Sequence, residues 1–316
     1  MRLRWSIAPL CMMGLAGVAL YSLQLPYRGF EGELFLQFPK GSGTRAIAQK
    51  LADAGVVRYA WQFSLERAIH PRTTLQAGEY RFDQAANVND VFSRLGRGDV
   101  FYFSLTVPEG SNMFDIARLL ESEGIMSGQD FLKAAQTLEG FLFPSTYRVG
   151  HFTTPAELCQ MMTAQFHKEW KKLMPDSTVD MVKTVTLASM IEKETGIAEE
   201  RSKVASVFKN RLRIGMTLDC DPTVIYAALL DDRYRGVIHR SDLDNEHPYN
   251  TYRHAGLPPG PIANPGASSL AAALHPAETD YLYFVAKPDG DGHVFTSNIA
   301  AHNKAVENYR HARKAR

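Results

Sequence analysis

The chain has 316 residues, 45% hydrophobic and 22% charged; these are globular values, and the length suits two domains. A net charge of +1 excludes the basic footprint of a nucleic-acid or polyanion binder. Cys11, Cys159 and Cys220 lack metal-ligand spacing, and no HxxxH pair falls in a credible helix, so neither a bound metal nor a cofactor is expected.

Arg2 and Arg4 precede Trp5–Leu23, a run without charge. As a helix it would span roughly 28 Å, close to the ~30 Å of a bilayer's hydrocarbon core. Arginines before it and none directly after it predict an uncleaved single-pass anchor with a cytoplasmic N-terminus. A cleavable signal peptide is the rival, but no clear small-x-small cleavage site follows the run. On this reading the chain divides into residues 1–27, 28–135 and 136–316. If the bulk is exported, Cys159 and Cys220 could pair; two free buried thiols suit a chain of this size as well.

An internal repeat follows. Phe38-Pro39-Lys40-Gly41 recurs 69 residues on as Val107-Pro108-Glu109-Gly110, and Ile47-Ala48, Leu51 and Gly55-Val56 recur as Ile116-Ala117, Leu120 and Gly124-Ile125. Each copy reads as a strand, a Pro-Gly turn, an amphipathic helix and a glycine that ends it. Leu34, Leu36 and Phe38 alternate with polar residues, as do Phe101, Phe103, Leu105 and Val107. Between the copies, Trp61–Ala68 and Val88–Leu95 read as helices and Gly78–Phe82 as a strand. Nothing in this α+β region clusters as an acid, base or thiol site, so binding or spacing is its expected role. Tyr59, Trp61 and Tyr80 could stack on a sugar or pack in a core.

Phe131–Ala135 continues the helical texture, and Leu138–Tyr147 breaks it with Glu139 among aromatic rings and a proline. That stretch is either a packed joint or one wall of a cleft. Thr154–Leu173 reads as a long helix with Pro155 in its first turn. In Val182–Asn210, Val182, Val185, Ala188 and Ile191 recur at helical spacing and lead into Glu192 and Glu194. A second helix is expected from about Glu199 to Leu212, with Val204, Val207, Phe208 and Leu212 inward. A carboxylate at the end of a buried helix is a candidate general acid; the bland alternative is a solvated helix face. Asp221 before Pro222 predicts an N-cap for a helix over Pro222–Leu229. Asp219, Asp221 and Glu192 lack a clear oxygen-ligand loop, so no cation site is expected. Asp231–His247 reads as polar surface. His247–Tyr252 and the Pro/Gly-rich Gly256–Gly266 cannot be regular structure. They are either a crossover or a binding wall. Ser268–Ala273 is expected as a helix, Tyr281–Val285 and Val294–Thr296 as a hairpin about Gly290-Asp291-Gly292, and Ala300–Ala312 as a closing helix.

At these residues the chain resembles the endolytic murein transglycosylases, the YceG-like or MltG family. The motifs are Glu139–Pro144, Ala188–Thr195, Val204–Leu212, Asp221–Tyr226, Tyr249–Tyr252 and Gly256–Ile262, in order. The resemblance implies an α+β architecture: an N-terminal transmembrane helix, a small LysM-like α+β domain and a C-terminal YceG-like mixed α/β catalytic domain. It implies a single-pass inner-membrane enzyme, its catalytic domain periplasmic, working on peptidoglycan glycan strands beside a cell-wall synthase complex. Such enzymes cleave the β-1,4 bond from N-acetylmuramic acid to N-acetylglucosamine and leave 1,6-anhydro ends. The resemblance assigns catalysis to Glu192, the first glutamate of Glu-Lys-Glu-Thr, acting as acid and then base. Glu139, Asn210, Asp221, Tyr226, Tyr249 and Asn250 are the candidates for the cleft. The chain departs from the pattern at Leu218-Asp219-Cys220, where relatives often carry Gln-Thr, and at Leu142 and Ser145. The rival reading is a non-catalytic, membrane-anchored peptidoglycan-binding or scaffolding protein.

Overall fold

The computed structural model describes residues 7–174 and 179–314, and its contacts divide the chain into two compact units. The first runs to Phe103 and takes in Gly150–Phe152; the second comprises Ser104–Val149 and the chain from Thr153 onward.

The first unit contains α1 (Ile7–Gln24), β1 (Leu34–Phe38), α2 (Thr44–Asp53), α3 (Ala60–Ile69), β2 (Gly78–Phe82) and α4 (Val88–Arg97). β1 and β2 are antiparallel, with Leu36 opposite Tyr80 and Leu34 opposite Phe82. Side-chain alternation sends Leu36, Phe38, Tyr80 and Phe82 into one core with Ile47, Leu51, Phe63, Val91 and Leu95 from the helices. The Tyr80 hydroxyl donates to the Gln76 carbonyl at 2.9 Å, and burial pushes its pKa up to about 12.

The anchor expected at Trp5–Leu23 is corrected here. Trp5 lies outside the described residues, and α1 covers Ile7–Gln24, 18 residues or roughly 27 Å. Among the described residues, no helix is long and apolar enough to cross a membrane. The last turn of α1 is also committed to the first unit: Leu23 is buried in its core, and Gln62 Nε2 donates to the Ser22 carbonyl at 3.2 Å. The inner-membrane placement, the cytoplasmic N-terminus and the membrane as a partner fall with the anchor.

The second unit contains β3 (Phe103–Thr106, from Ser104 onward), α5 (Met113–Ser122), α6 (Gly128–Ala135), β4 (Thr146–Val149), α7 (Pro155–Leu173), α8 (Met181–Glu194), α9 (Arg201–Arg213), α10 (Asp221–Leu230), α11 (Arg240–Leu243), α12 (Ala267–Leu274), β5 (Tyr283–Ala286), β6 (His293–Thr296) and α13 (Ile299–Lys314). The repeat is visible in the backbone: Gly41 and Gly110 take φ of 83° and 75°, and Gly55 and Gly124 take 72° and 65°. Left-handed φ at matching turns explains why both copies keep glycine there. The Phe101–Val107 alternation holds only in part. Leu105 and Val107 are buried, while Phe103 is exposed at the strand start.

α8 is the central element. Val185, Ala188, Ser189, Met190 and Ile191 are buried, and the helix packs against α9, α10 and α12. Val182, expected inward, is instead exposed. In α9, Val204, Val207 and Phe208 are buried as expected. α10 begins one residue earlier than predicted. Cys220 holds the N-cap position without a side-chain cap bond, and Asp221 stands in the first turn, where its charge suits the helix dipole. The stretch 231–247 is more than polar surface: α11 is closed by a reciprocal His239–Asp242 cap, and buried Asp242 pairs with Arg233 at 3.2 Å. Cys159 and Cys220 are both free and buried.

Candidate active site

α8 ends at Glu194, and its last turn aims two carboxylates in different directions. Residues two apart on a helix lie about 200° around its axis. Glu192 Oε2 accepts the Gly266 N–H at 2.9 Å, and Oε1 accepts from Arg201 Nη2 at 3.2 Å. Its side chain is only 5% exposed. Gly266 is the N-cap of α12, so Glu192 binds the positive end of that helix. Lys193 Nζ donates to the Gly110 carbonyl at 3.1 Å, drawing the second Pro-Gly turn onto the same place.

Glu194 faces a cleft of about 380 Å³, lined also by Arg211, Asp219, Asp221, Tyr252, Tyr283 and His302. Glu192, to which the resemblance assigns catalysis, is not among the residues that line this cleft. Burial raises the Glu194 carboxyl above its ordinary range; the nearby Asp221 charge adds to this, while Cys220, His293 and Arg211 oppose it. The negative end of α8 acts in the same raising direction. A raised carboxyl in an aromatic-lined cleft is the form a general acid needs.

The cleft floor is tightly held. Arg211 Nε donates to the Leu282 carbonyl at 2.7 Å, and Nη1 donates to the Leu218 carbonyl at 3.0 Å and to Asp219 Oδ2 at 3.2 Å. These bonds stabilise Asp219 in a left-handed conformation, φ 48°, unusual for a residue with a side chain. The Tyr252 hydroxyl donates to Asp221 Oδ1 at 2.7 Å. Thr251 Oγ1 accepts the Cys220 N–H at 3.1 Å, which ties the Tyr249–Tyr252 motif to the start of α10.

Glu139 is a buried hub. It accepts from the Met113 N–H at 2.9 Å, the Tyr226 hydroxyl at 3.1 Å and Asn264 Nδ2 at 2.8 Å. Burial pushes its pKa up to about 7, against these hydrogen bonds. Asn264 also accepts the Leu142 N–H at 2.8 Å and exchanges backbone bonds with Gly110 and Ser111. Ser189 Oγ accepts the Ile262 N–H at 3.0 Å. The Pro/Gly-rich stretch therefore threads between α8, the Pro108–Gly110 turn and the Glu139 turn.

A model of the YceG-like family matches residues 36–308. The chain belongs to the YceG-like family. It is 35% identical over 306 residues to an endolytic murein transglycosylase of Bacillus subtilis (strain 168), covering 87% of this chain and 84% of that one. A protein of the same description from Streptococcus pneumoniae (strain ATCC BAA-255 / R6) is 26% identical over 85% of this chain and 57% of its own length. A crystal structure of a yceG-like protein from Listeria monocytogenes superposes with a TM-score of 0.58 at 30% identity, covering 86% of this chain and 98% of that one.

The expected site residues of this YceG-like chain sort into three groups. Asp221 lines the cleft. Glu139 and Tyr226 meet each other in the buried hub, with the Tyr249 ring 5.2 Å from Tyr226. Asn210 and Asn250 hold backbone: Asn210 Nδ2 donates to the Thr279 and Tyr281 carbonyls at 2.9 and 3.0 Å. Asn250 Nδ2 donates to the Leu243 and Asn245 carbonyls at 3.0 and 2.6 Å. Sequence reasoning missed Glu194, Arg211, Tyr252, Tyr283 and His302 as cleft residues. The two-residue spacing of Glu192 and Glu194 does signal that they point to different sides of the helix, but by sequence Glu194 reads as the structural or supporting member of the pair. Among the described residues, no group of three or more His, Cys, Asp or Glu side chains is placed to hold a metal ion.

Proposed function

We propose that the cleft at the end of α8 is the reaction centre and that Glu194 is its general acid and base. The protein is an endolytic murein transglycosylase, cutting within peptidoglycan glycan strands. The observation that carries this assignment is the position of Glu194: half-buried, raised by burial, and facing a cleft lined by Tyr252, Tyr283 and Phe284.

Protonated Glu194 gives its proton to the glycosidic oxygen as the bond from C1 of the muramoyl sugar breaks. C1 takes on oxocarbenium character. The C6 hydroxyl of the same sugar attacks C1, and its closeness supplies an effective concentration that water cannot match. Glu194 takes the proton released from that hydroxyl, which restores the acid. One bond breaks, one forms, and no water is consumed. A single carboxyl used twice suffices, so the mechanism calls on no second carboxylate as nucleophile.

In this reading Glu192 is a positioning residue. Its bonds to Gly266 and Arg201 hold α12 and α9 against the last turn of α8, which aims Glu194. Asp221 orients Tyr252 at the cleft mouth. The test is the product ends from purified Glu194→Gln and Glu192→Gln proteins acting on uncrosslinked glycan strands. Loss of anhydro-muramoyl ends in Glu194→Gln, with their retention in Glu192→Gln, supports the assignment. The reverse pattern returns catalysis to Glu192. Binding without cleavage by the wild-type protein supports the scaffolding alternative, and reducing muramic acid ends indicate a hydrolase.

A further inference from the structure

His302 reaches the Glu194 cleft from the closing helix. α13 packs on β5 and β6, and Ile299 and His302 of its first turn line the cleft. The His302 ring stacks on Tyr283, with centroids 5.1 Å apart and planes at 24°. The Arg211 guanidinium lies 5.3 Å from the centre of the same tyrosine ring. Burial, and then the Arg211 charge, hold the His302 pKa below its ordinary value, which favours the neutral imidazole.

A neutral imidazole carries one N–H and one lone pair. His302 Nδ1 is sealed from solvent and meets no hydrogen-bond partner among the described residues. A sealed, unpaired N–H is rarer in folded proteins than a sealed, unpaired acceptor. The lone pair therefore belongs on Nδ1 and the proton on Nε2. Other lining groups leave few donors for a ligand. Arg211 is spent on the Thr217, Leu218 and Leu282 carbonyls and on Asp219, and the Tyr252 hydroxyl is spent on Asp221. Asp219 and Asp221 supply acceptors, and the proton of Glu194 is committed to the glycosidic oxygen. The strongest acceptor on an N-acetylated sugar is its acetamido carbonyl, which cannot donate.

We propose that His302, as the Nε2–H tautomer, donates a hydrogen bond to the acetamido carbonyl of the glycan held in the Glu194 cleft and selects N-acetylated strands. This rests on the reading that the Glu194 cleft is the reaction centre. Tyr283 backs the imidazole and fixes the plane in which the N–H is offered. The role is recognition of the sugar by direct contact and involves no proton transfer.

The experiment compares full-length His302→Phe, His302→Gln and His302→Asn with wild type on N-acetylated and chemically de-N-acetylated uncrosslinked strands. Phenylalanine keeps the stack and removes the donor, so KM on N-acetylated strands rises about 3- to 10-fold, the worth of one hydrogen bond to a neutral group. Glutamine places an N–H near Nε2 and recovers most of the loss; asparagine places it near Nδ1 and does not. The preference for N-acetylated over de-N-acetylated strands shrinks in His302→Phe. Nitrogen NMR of the histidine rings in Glu194→Gln supplies a readout independent of turnover and of any misfolded variant. The Nε2–H tautomer is expected, with its signal moving when a N-acetylated murein oligosaccharide is added. An Nδ1–H tautomer, or a His302 signal indifferent to the oligosaccharide, overturns the proposal. So does wild-type KM in His302→Phe while the wild-type protein releases anhydro ends. Absence of anhydro ends from the wild type overturns the underlying reading, and the NMR result then still decides whether His302 touches glycan.

Discussion

Glu192 and Glu194 leave the last turn of α8 on different sides: Gly266 donates its N–H to Glu192 at 2.9 Å, while Glu194 lines the cleft with Asp221. One carboxylate is locked by the protein and the other is left facing space that a ligand can fill. Two like residues, two apart, thereby receive different chemistry.

Glu194→Gln is expected to fold, bind strands and lose about 10²- to 10⁴-fold in release of anhydro ends, the usual worth of a general acid and base. Glu192→Gln is expected to keep the product class but to lose about 1–3 kcal/mol of stability, because an amide nitrogen is forced toward Arg201 or the Gly266 N–H. Mass analysis of digested strands and denaturant melts check the two outcomes.

The pH profile of anhydro-end release should show an alkaline limb displaced above the ordinary carboxylate range. Glu194 is active when protonated, and burial raises its pKa. Activity is therefore present below that raised value and falls as pH rises through it. A limb at the pKa of an unperturbed glutamate contradicts the assignment of the acid.

Glu139 controls stability over a different window. Its folded pKa is about 7 against an ordinary 4.5, so between those values the folded state binds more protons than the unfolded one. Stability is full below 4.5 and falls as pH rises to about 7, by about 3 kcal/mol at 1.36 kcal/mol per unit. Glu139→Gln, a neutral mimic of the protonated acid, should change stability least at acid pH and should flatten the slope across this window. Thermal melts at a series of pH values measure both.

Gly140→Ala should destabilise by about 2–4 kcal/mol, combining left-handed strain with overpacking. Gly140 has φ 87°, and a Cβ there would meet the Pro261 ring and, at 2.8 Å, Val185. Neither neighbour is the loose end of a long side chain. Retention of full stability on urea titration would show that the Glu139 turn can open away from the Pro/Gly-rich stretch.

Asn250→Ala should cost about 2–3 kcal/mol while leaving KM for strands unchanged. Its amide serves the Leu243 and Asn245 carbonyls, and its Oδ1 accepts the Tyr252 N–H at 3.0 Å, all of it backbone support. A rise in KM without loss of stability would place Asn250 on the substrate.

The repeat, the strands at Leu34–Phe38 and Gly78–Phe82, and the helix at Pro155–Leu173 were legible because local rules suffice for them. Pro-Gly turns, side-chain alternation and the Thr154–Glu157 cap each act within a few residues. Asp221 was legible as a residue at the start of a helix because Pro222 follows it. The apolar run near the start was legible as a helix but not in its use: its end at Ser22 and Leu23 belongs to contacts made by residues some forty positions on.

By itself the sequence determined the elements, the order of the motifs and membership of a family, since these depend on spacing along the chain. The different surroundings of Glu192 and Glu194, the use of Asn210 and Asn250 as backbone support, and the arrival of His302 beside Tyr283 were decided by the tertiary structure. The reason is physical. A carboxyl or an imidazole takes its charge and reach from what packs against it, and here those neighbours, Gly266, Asp221 and Tyr283, come from loops and helices far away in the chain.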